Sequence, residues 1–380
     1  MISRNTISGH YRVKKLGEVV EFLDNLRRPV TESERKAGDF PYFGANGLQG
    51  TIDSFIFDEP LVLLAEDGGH FGNPDRGIAY RISGKTWVNN HAHVLRPTPR
   101  IELGYLCRVL ENYDVTPFVT GTTRGKLTKA GASEIPIPLP PLPEQRRIAA
   151  ILDQADALRA KRREALAQLD RLTQSIFIEM FGDLFLNPHG YPVSPLGSLC
   201  DVRDGTHDSP KFLSEGYPLV TTKNLRNGQI DLSEASLISE EDYLAINKRS
   251  RVDSGDILMP MIGTIGNPVL VDFAPEFAIK NMALIKFIDS SPDRQFILHF
   301  LKSDCFDKIV AKKNKGGTQK FLALGEIRSL PVPVPPKQHQ EKFASLVVEL
   351  KRHSSRLEAA LHDSDSLFAS LQHRAFRGEL

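Results

Sequence analysis

The sequence predicts an α+β chain: two tandem-repeated globular domains joined by two long helices that form an antiparallel coiled coil. The first observation behind this is a repeat. The segment Ile135-Pro-Ile-Pro-Leu-Pro-Pro141 returns as Leu330-Pro-Val-Pro-Val-Pro-Pro336, an offset of 195. At that offset Gly121, Thr123, Leu127, Gln145 and Ala149 match Gly316, Thr318, Leu322, Gln340 and Ala344. Self-similarity over such a distance marks a repeated structural unit. Farther upstream the offset drifts, as loops of unequal length require: Gly72-Asn73-Pro74 faces Gly266-Asn267-Pro268, and Leu16-Gly17 faces Leu196-Gly197. The second observation is that each proline segment leads into a long run of apolar residues at helical spacing.

Within each domain the signals are mixed. Pro60-Leu-Val-Leu-Leu-Ala65 and Asp256-Ile-Leu-Met259 read as buried strands, and 103–113 and 295–308 as helices, with Gly, Asn and Pro marking turns between them. Such a mixture is the α+β pattern. The proline segment itself must be extended, because proline fixes φ and disfavours helix in the residue before it. Ile135, Ile137 and Leu139 alternate along it and can bury one side. Helix begins only near Pro143-Glu144, where proline is tolerated and an acid suits the helix dipole.

The apolar spacing beyond that point alternates between three and four. Ile148, Ile151, Ala155, Leu158, Ala165, Leu169, Leu172 and Ile176 form the first seam, with Arg162 in its one polar slot. The second seam is Phe343, Leu346, Leu350, His353, Leu357, Ala360, Ser364, Leu367 and Leu371, again at the offset of 195. Seams this regular predict a coiled coil, and pairing of equivalent helices about a pseudo-twofold axis makes it antiparallel. From Glu144 to Phe181 the first helix would be roughly 57 Å long at 1.5 Å per residue. The expected boundaries are a first domain over 1–142, a first spacer helix over 143–183, a second domain over 184–336 and a second spacer helix over 337–380.

Composition narrows the class of function. At 380 residues the chain exceeds one ordinary core, and 41% hydrophobic with 25% charged residues fits a globular protein. No apolar run reaches the length of a bilayer span, so no membrane partner is expected. The N-terminal residues lack the apolar stretch of a secretory signal, and a cytoplasmic location is the expectation. Three scattered cysteines, Cys107, Cys200 and Cys305, suit reduced thiols. The 48 basic and 47 acidic residues leave a net charge of +1, so only the local distribution of charge can point to a polyanion.

Catalytic patterns are not found. Gly121-Thr-Thr-Arg-Gly-Lys126 has the wrong spacing for a phosphate loop, and Gly44-Ala-Asn-Gly47 lacks the third glycine of a dinucleotide site. The Asn-Pro pairs at 73, 187 and 267 do not continue as an Asn/Asp-Pro-Pro-Tyr/Phe methyltransferase motif. His91-Ala-His93 has no third ligand at a recognisable spacing, and Glu66-Asp67 before two glycines reads as an acidic turn. No catalytic and no metal residue is expected. Basic residues do gather at equivalent places. Lys308, Lys312, Lys313, Lys315 and Lys320 stand with no acid among them, and Arg124, Lys126 and Lys129 are their first-half counterparts. On Gly/Thr-rich turns these suit phosphate contacts, which position a protein on DNA. Candidates for base reading are Asn89, Asn90 and His91 in the first half, with Thr222, Lys223, Asn224, Arg226, Lys280 and Asn281 in the second.

The duplicated plan, Pro138-Leu-Pro-Pro-Leu-Pro-Glu-Gln-Arg-Arg-Ile148 and the stretch Ser370-Leu-Gln-His-Arg-Ala-Phe-Arg-Gly-Glu-Leu380 resemble the specificity subunits of type I restriction-modification systems over nearly the whole chain. Lys337-Gln-His-Gln340 departs from the Glu-Gln of the first copy. The resemblance implies two target-recognition domains, each reading one half of a bipartite asymmetric site on double-stranded DNA, without catalysis of their own. It also implies that the helical pair docks two modification subunits, and that restriction subunits join them. No cofactor is implied for this chain; S-adenosylmethionine, ATP and Mg²⁺ are implied for the partners. Competing readings are a self-contained DNA methyltransferase with a fused recognition domain, disfavoured by the missing motifs, and a coiled-coil scaffold without a DNA role, disfavoured by the two large non-repeating domain interiors.

Overall fold

The computed structural model describes residues 11–73, 76–121, 125–226, 228–262, 267–313 and 322–380. It divides into two compact units, one of Met1–Glu164 with Glu358–Leu380 and one of Ala165–Leu357.

In the first unit the proline exit is one strand of an antiparallel ribbon. Val13–Lys15 pairs with Pro136–Pro138, Val13 lying opposite Pro138. A two-stranded ribbon tolerates proline because each strand keeps an edge that needs no N–H donor. The pairing extends at both ends, as the Leu16 N–H donates to the Ile135 carbonyl and the Leu139 N–H to that of Arg12, both at 2.8 Å. Ile135 and Ile137 are fully buried, which explains their alternation with proline.

Next to the ribbon stands a four-stranded antiparallel sheet in the order Val20–Phe22, Ala92–Pro97, Leu61–Ala65, Ala79–Ile82. Every residue from Leu61 to Ala65 is inaccessible to solvent, so this inner strand reads as a continuous apolar run. Val62 and Leu64 share a core with Tyr105, Leu106 and Leu110 of the helix Leu103–Leu110. Leu61 and Leu63 face Phe57, Val88 and Val94 on the other side. A second sheet, Gly47–Ile52, Phe40–Gly44, Lys85–Val88, Phe57–Asp58, contains one parallel pair, Tyr42 opposite Trp87.

The second unit repeats this plan. Val193–Pro195 pairs with Pro331–Pro333. A four-stranded sheet runs Asp201–Asp204, Met282–Lys286, Ile257–Pro260, Val269–Leu270, and a three-stranded one holds the parallel pair Leu219 opposite Ala278. The helix Arg294–Leu301 takes the place of Leu103–Leu110. One polar clamp recurs in both units. Gln145 Oε1 accepts from the Glu102 N–H at 2.8 Å while its Nε2 donates to the Pro140 carbonyl at 2.8 Å. Gln340 does the same with the Asp293 N–H and the Pro335 carbonyl, each at 2.7 Å. Each glutamine thus locks proline exit, long helix and domain helix together where water does not reach.

The long helices are Leu142–Phe181 and Lys337–Arg377. Within the first unit they run antiparallel, since Arg147 donates to the Leu380 carbonyl, Arg159 to Asp365 and Arg162 to the Ala360 carbonyl. That last bond explains the polar slot at Arg162. Ile148, Ala149 and Leu152 share a core with Phe368, Ala375 and Phe376, and Leu371 packs against it. In the second unit Phe177 and Phe181 meet Phe343 and Val347, with Ile176 packed alongside.

The expected seam needs correction in phase. Ile148 and Phe343 are fully buried, and Ile151, Leu169, Leu346, Leu350 and Leu357 are half-buried. Leu158, Leu172 and Leu367, however, are 44%, 45% and 53% exposed. The buried neighbours are Leu152 and Phe368, one residue farther on than Ile151 and Leu367. The reason is that each helix serves its domain as well as its partner, and the buried stripe turns toward the domain core.

All three cysteines are free and buried. Burial pushes the Cys107 thiol up to about 12 and those of Cys200 and Cys305 to about 11, which keeps them protonated. Among the described residues no helix is long and apolar enough to cross a membrane.

Candidate nucleic-acid interface

In the first unit the candidate residues converge on one strand end. The buried strand Leu61–Ala65 delivers Glu66 and Asp67, and the turn Asn89-Asn90-His91 joins the neighbouring strands. His91 Nδ1 pairs with Asp67 Oδ1 at 2.6 Å. The segment around Lys126 docks on the same two acids: the Leu127 N–H donates to the Glu66 carbonyl at 2.7 Å, and the Lys126 ammonium lies 3.0 Å from Glu66 Oε1. Turn and basic loop are thus brought side by side. Asn90 and Lys126 are exposed there.

Beneath them lies an internal ion network. His93 is fully buried, with Nδ1 2.7 Å from Asp24 Oδ2 and Nε2 2.8 Å from the Leu127 carbonyl. Both ring nitrogens thus face acceptors. Burial is the largest influence on the Asp24 carboxyl and works to raise it, but His93, the Val94 N–H and Arg27 together outweigh it and hold the group below its usual range. Glu66 is likewise lowered against its burial, by Arg27 and Lys126. Asp24, Glu66 and His93 form the one group among the described residues with the spacing of a metal site. Their ligand atoms are already engaged with one another, Arg27 and Lys126.

The second unit builds the corresponding edge from different side chains. The Leu322 N–H donates to the Met261 carbonyl at 3.0 Å, as Leu127 does to Glu66. The turn Lys280-Asn281 occupies the place of Asn89–His91. Asn281 has φ 55°, a left-handed conformation that asparagine tolerates better than most residues. His207 lies between Asn281 Oδ1, 2.9 Å from Nδ1, and Asp204 Oδ2, 3.0 Å from Nε2. Its pKa is raised by these two hydrogen bonds, that to Asn281 first. Arg249 fixes Asp204 from the other side at 2.8 Å. The Lys280 ammonium donates to Ser209 Oγ.

Several expected contacts are redirected by the structure. Asn89 is 4% exposed and accepts from the His91 N–H, so it shapes the turn and offers nothing to a ligand. Asn224 is 6% exposed, and its amide is spent on Thr221 and the Asp231 carbonyl. Arg226 is exposed but held by Asp231 and Glu234 within its own hairpin. Lys312 extends over the Phe185 ring at 4.4 Å, and Lys129 over that of Phe22 at 5.4 Å, both exposed. Lys223 is exposed and Thr222 half-buried. Arg124, Lys315, Lys320 and the side chain of Lys313 lie outside the described residues. Sequence reasoning missed His207, Asp204 and Ser209; the run Thr206-His207-Asp208-Ser209-Pro210-Lys211, polar and turn-forming beside a strand, was the available signal.

Two copies of one fold, each gathering mixed donors and acceptors at the same strand end, make a duplicated binding protein. The family described as type I restriction modification DNA specificity domain matches residues 9–169 and again 188–363, and the chain belongs to it. A Haemophilus influenzae protein assigned as a type I restriction enzyme specificity subunit is 29% identical over 343 residues, covering 88% of this chain and 86% of the relative. The MjaVIII specificity subunit of Methanocaldococcus jannaschii is 23% identical over 379 residues, covering 90% and 88%. The crystal structure of an S subunit from M. genitalium superposes with a TM-score of 0.59 at 17% identity, over 97% of each chain, and shows that the fold is shared.

Proposed function

We propose that each unit reads one half of a bipartite, asymmetric site on double-stranded DNA, and that the chain directs two modification subunits and the restriction subunits to that site. Methyl transfer and cleavage then belong to the partners, which bring S-adenosylmethionine, ATP and Mg²⁺, and the assembly works in the cytoplasm where the DNA is. One observation carries the reading: both units bring a polar turn, Asn90-His91 or Lys280-Asn281, to the strand end on which Leu127 or Leu322 docks. Exposed amides on such a turn can meet base edges while ammonium groups meet phosphates. The test is an exchange of residues 10–135 for the matching domain of a relative. Methylated positions are then mapped in cells carrying the whole system. The expected outcome is a new sequence in one half of the site and an unchanged one in the other; change in both halves overturns the reading of one domain per half-site.

A further inference from the structure

We propose that Asn281 reads one base for the second unit, and that His207 biases it toward donating hydrogen bonds, so that it selects guanine over adenine. The inference rests on the DNA-reading assignment made above.

The geometry around His207 fixes the polarity of the amide. Nε2 faces a carboxylate oxygen of Asp204 and Nδ1 faces Oδ1 of Asn281. Both are acceptors, so the two bonds favour the doubly protonated ring, in which both nitrogens donate. The charged groups around it are Asp204 and Arg249, the latter bonded to Asp204. With one lone pair of Oδ1 bonded to His207, whose donated proton disfavours a second donor beside it, Asn281 offers chiefly its Nδ2 hydrogens, which have no partner among the described residues.

The backbone holds this donor in place. The Asn281 N–H donates to the Thr206 carbonyl at 3.0 Å, and its own carbonyl accepts from Met261 at 3.4 Å. The strand Met282–Lys286, buried on its Met282–Ile285 stretch, begins at the next residue. Lys280, immediately before it, supplies a second donor on the same turn, pinned by Ser209.

In the major groove adenine shows an acceptor at N7 and a donor at N6, whereas guanine shows acceptors at both N7 and O6. An asparagine with both ends free pairs with adenine by donating to N7 and accepting from N6. An asparagine whose oxygen already accepts from an imidazole meets the N6 amino group of adenine less well, and a poorly matched polar group in a desolvated contact weakens binding. The donor-rich edge of Asn281 and Lys280 is complementary to guanine. In the first unit His91 pairs with Asp67 instead of with an asparagine amide, so the restriction belongs to one half-site alone.

The experiment is selection of bound duplexes from a randomised library at neutral pH, using the full chain assembled with its modification subunits. Guanine is expected at one position of one half-site. Asn281→Gly, which keeps the left-handed backbone and removes the amide, should make that position degenerate, with discrimination falling roughly 5- to 100-fold. His207→Ala frees Oδ1 and should move the same position toward adenine. The untouched half-site remains in both selected motifs and reports an intact fold. Selection of the wild-type motif by both variants, or cytosine or thymine at every position that the variants alter, overturns the proposal. If the wild-type assembly selects no motif, the DNA-reading assignment itself has failed.

Discussion

In the first unit the domain helix meets the long helices through a buried cation; in the second it does so through a box of rings. Arg108 stands six residues beyond Glu102, whose N–H Gln145 clamps, and is ringed by Asp153 at 2.8 Å, Glu111 at 2.7 Å and Asp156 at 3.0 Å. Its guanidinium also lies 5.7 Å from the centre of the Phe368 ring. Burial opposes its charge, but the three carboxylates outweigh that and hold the group protonated. The residue six beyond Asp293 is His299, and the counterparts of Asp156, Glu111 and Phe368 are Lys351, Lys302 and Thr173. Acids have become bases, and a ring has become a hydroxyl. Cohesion comes instead from Phe177, Phe181, Phe296 and Phe343, whose ring centres lie 5.0 to 5.8 Å apart in the five close pairs they form. A cleft of about 670 Å³ opens beside His299, Lys302 and Thr173. One geometry, held at its ends by the same glutamine clamp, therefore accepts two chemistries, because the fold specifies where the helices meet and not what fills the contact.

The largest expected effect breaks the ionic copy. Arg108→Ala leaves three carboxylates converging on an emptied site, and removal of one partner from a buried pair costs about 3–5 kcal/mol. Hydrogen exchange should show protection lost along Leu103–Leu110 and retained along Arg294–Leu301. Equal loss in both would mean that the network is not local to one unit.

A smaller effect probes the ring-lined copy through pH. Burial, helped by Lys302, pushes His299 down to about 4 from an ordinary 6.5. The unfolded chain takes up that proton first, so the stability tied to neutral His299 is complete above about pH 6.5 and is lost as pH falls toward 4. The loss is roughly 3 kcal/mol at the lower end. His299→Phe keeps the ring contact and should flatten this acid limb in thermal unfolding; an unchanged slope would assign it to other groups.

The smallest effect tests what the copies share. Gln145→Ala and Gln340→Ala each strand a buried backbone N–H and carbonyl, at about 2 kcal/mol apiece. Denaturant titration should give similar losses for the two. A clear inequality would show that the clamp, like the contact beside it, has diverged.

The legible part of this molecule is what repeats and what has a period. Proline segments, helices and the twin glutamines stand at fixed offsets in the sequence, and Leu61–Ala65 reveals itself as a run with no polar residue. The phase of the helices was not legible. A stripe at Ile151, Leu158 and Leu367 and one at Leu152 and Phe368 satisfy helical spacing almost equally, and the choice is made by the domain core against which each helix rests. The candidate interface could be read from the sequence as a set of loops, while which of their side chains are exposed could not. Asn89 and Asn281 look alike in sequence, yet one is buried in its turn and the other presented by it, because burial depends on the strand each turn enters. His207 escaped notice because its partners are far apart in sequence, Asp204 at the end of one strand and Asn281 in a turn more than 70 residues later.

The helix Lys337–Arg377 has a consequence for how the chain comes off the ribosome. Phe368, Ala375 and Phe376 belong to the core of the first unit, yet they follow the whole second unit in sequence. At about 5–20 residues per second, roughly 10–40 s separate the emergence of residue 164 from that of residue 358. Through that interval Tyr105 and Ile148 lack part of their cover, and the second unit, contiguous from Ala165 to Leu357, is the one that can close first. The first unit to be synthesised is therefore the last whose core can be completed, since it waits for a helix that the whole second unit precedes.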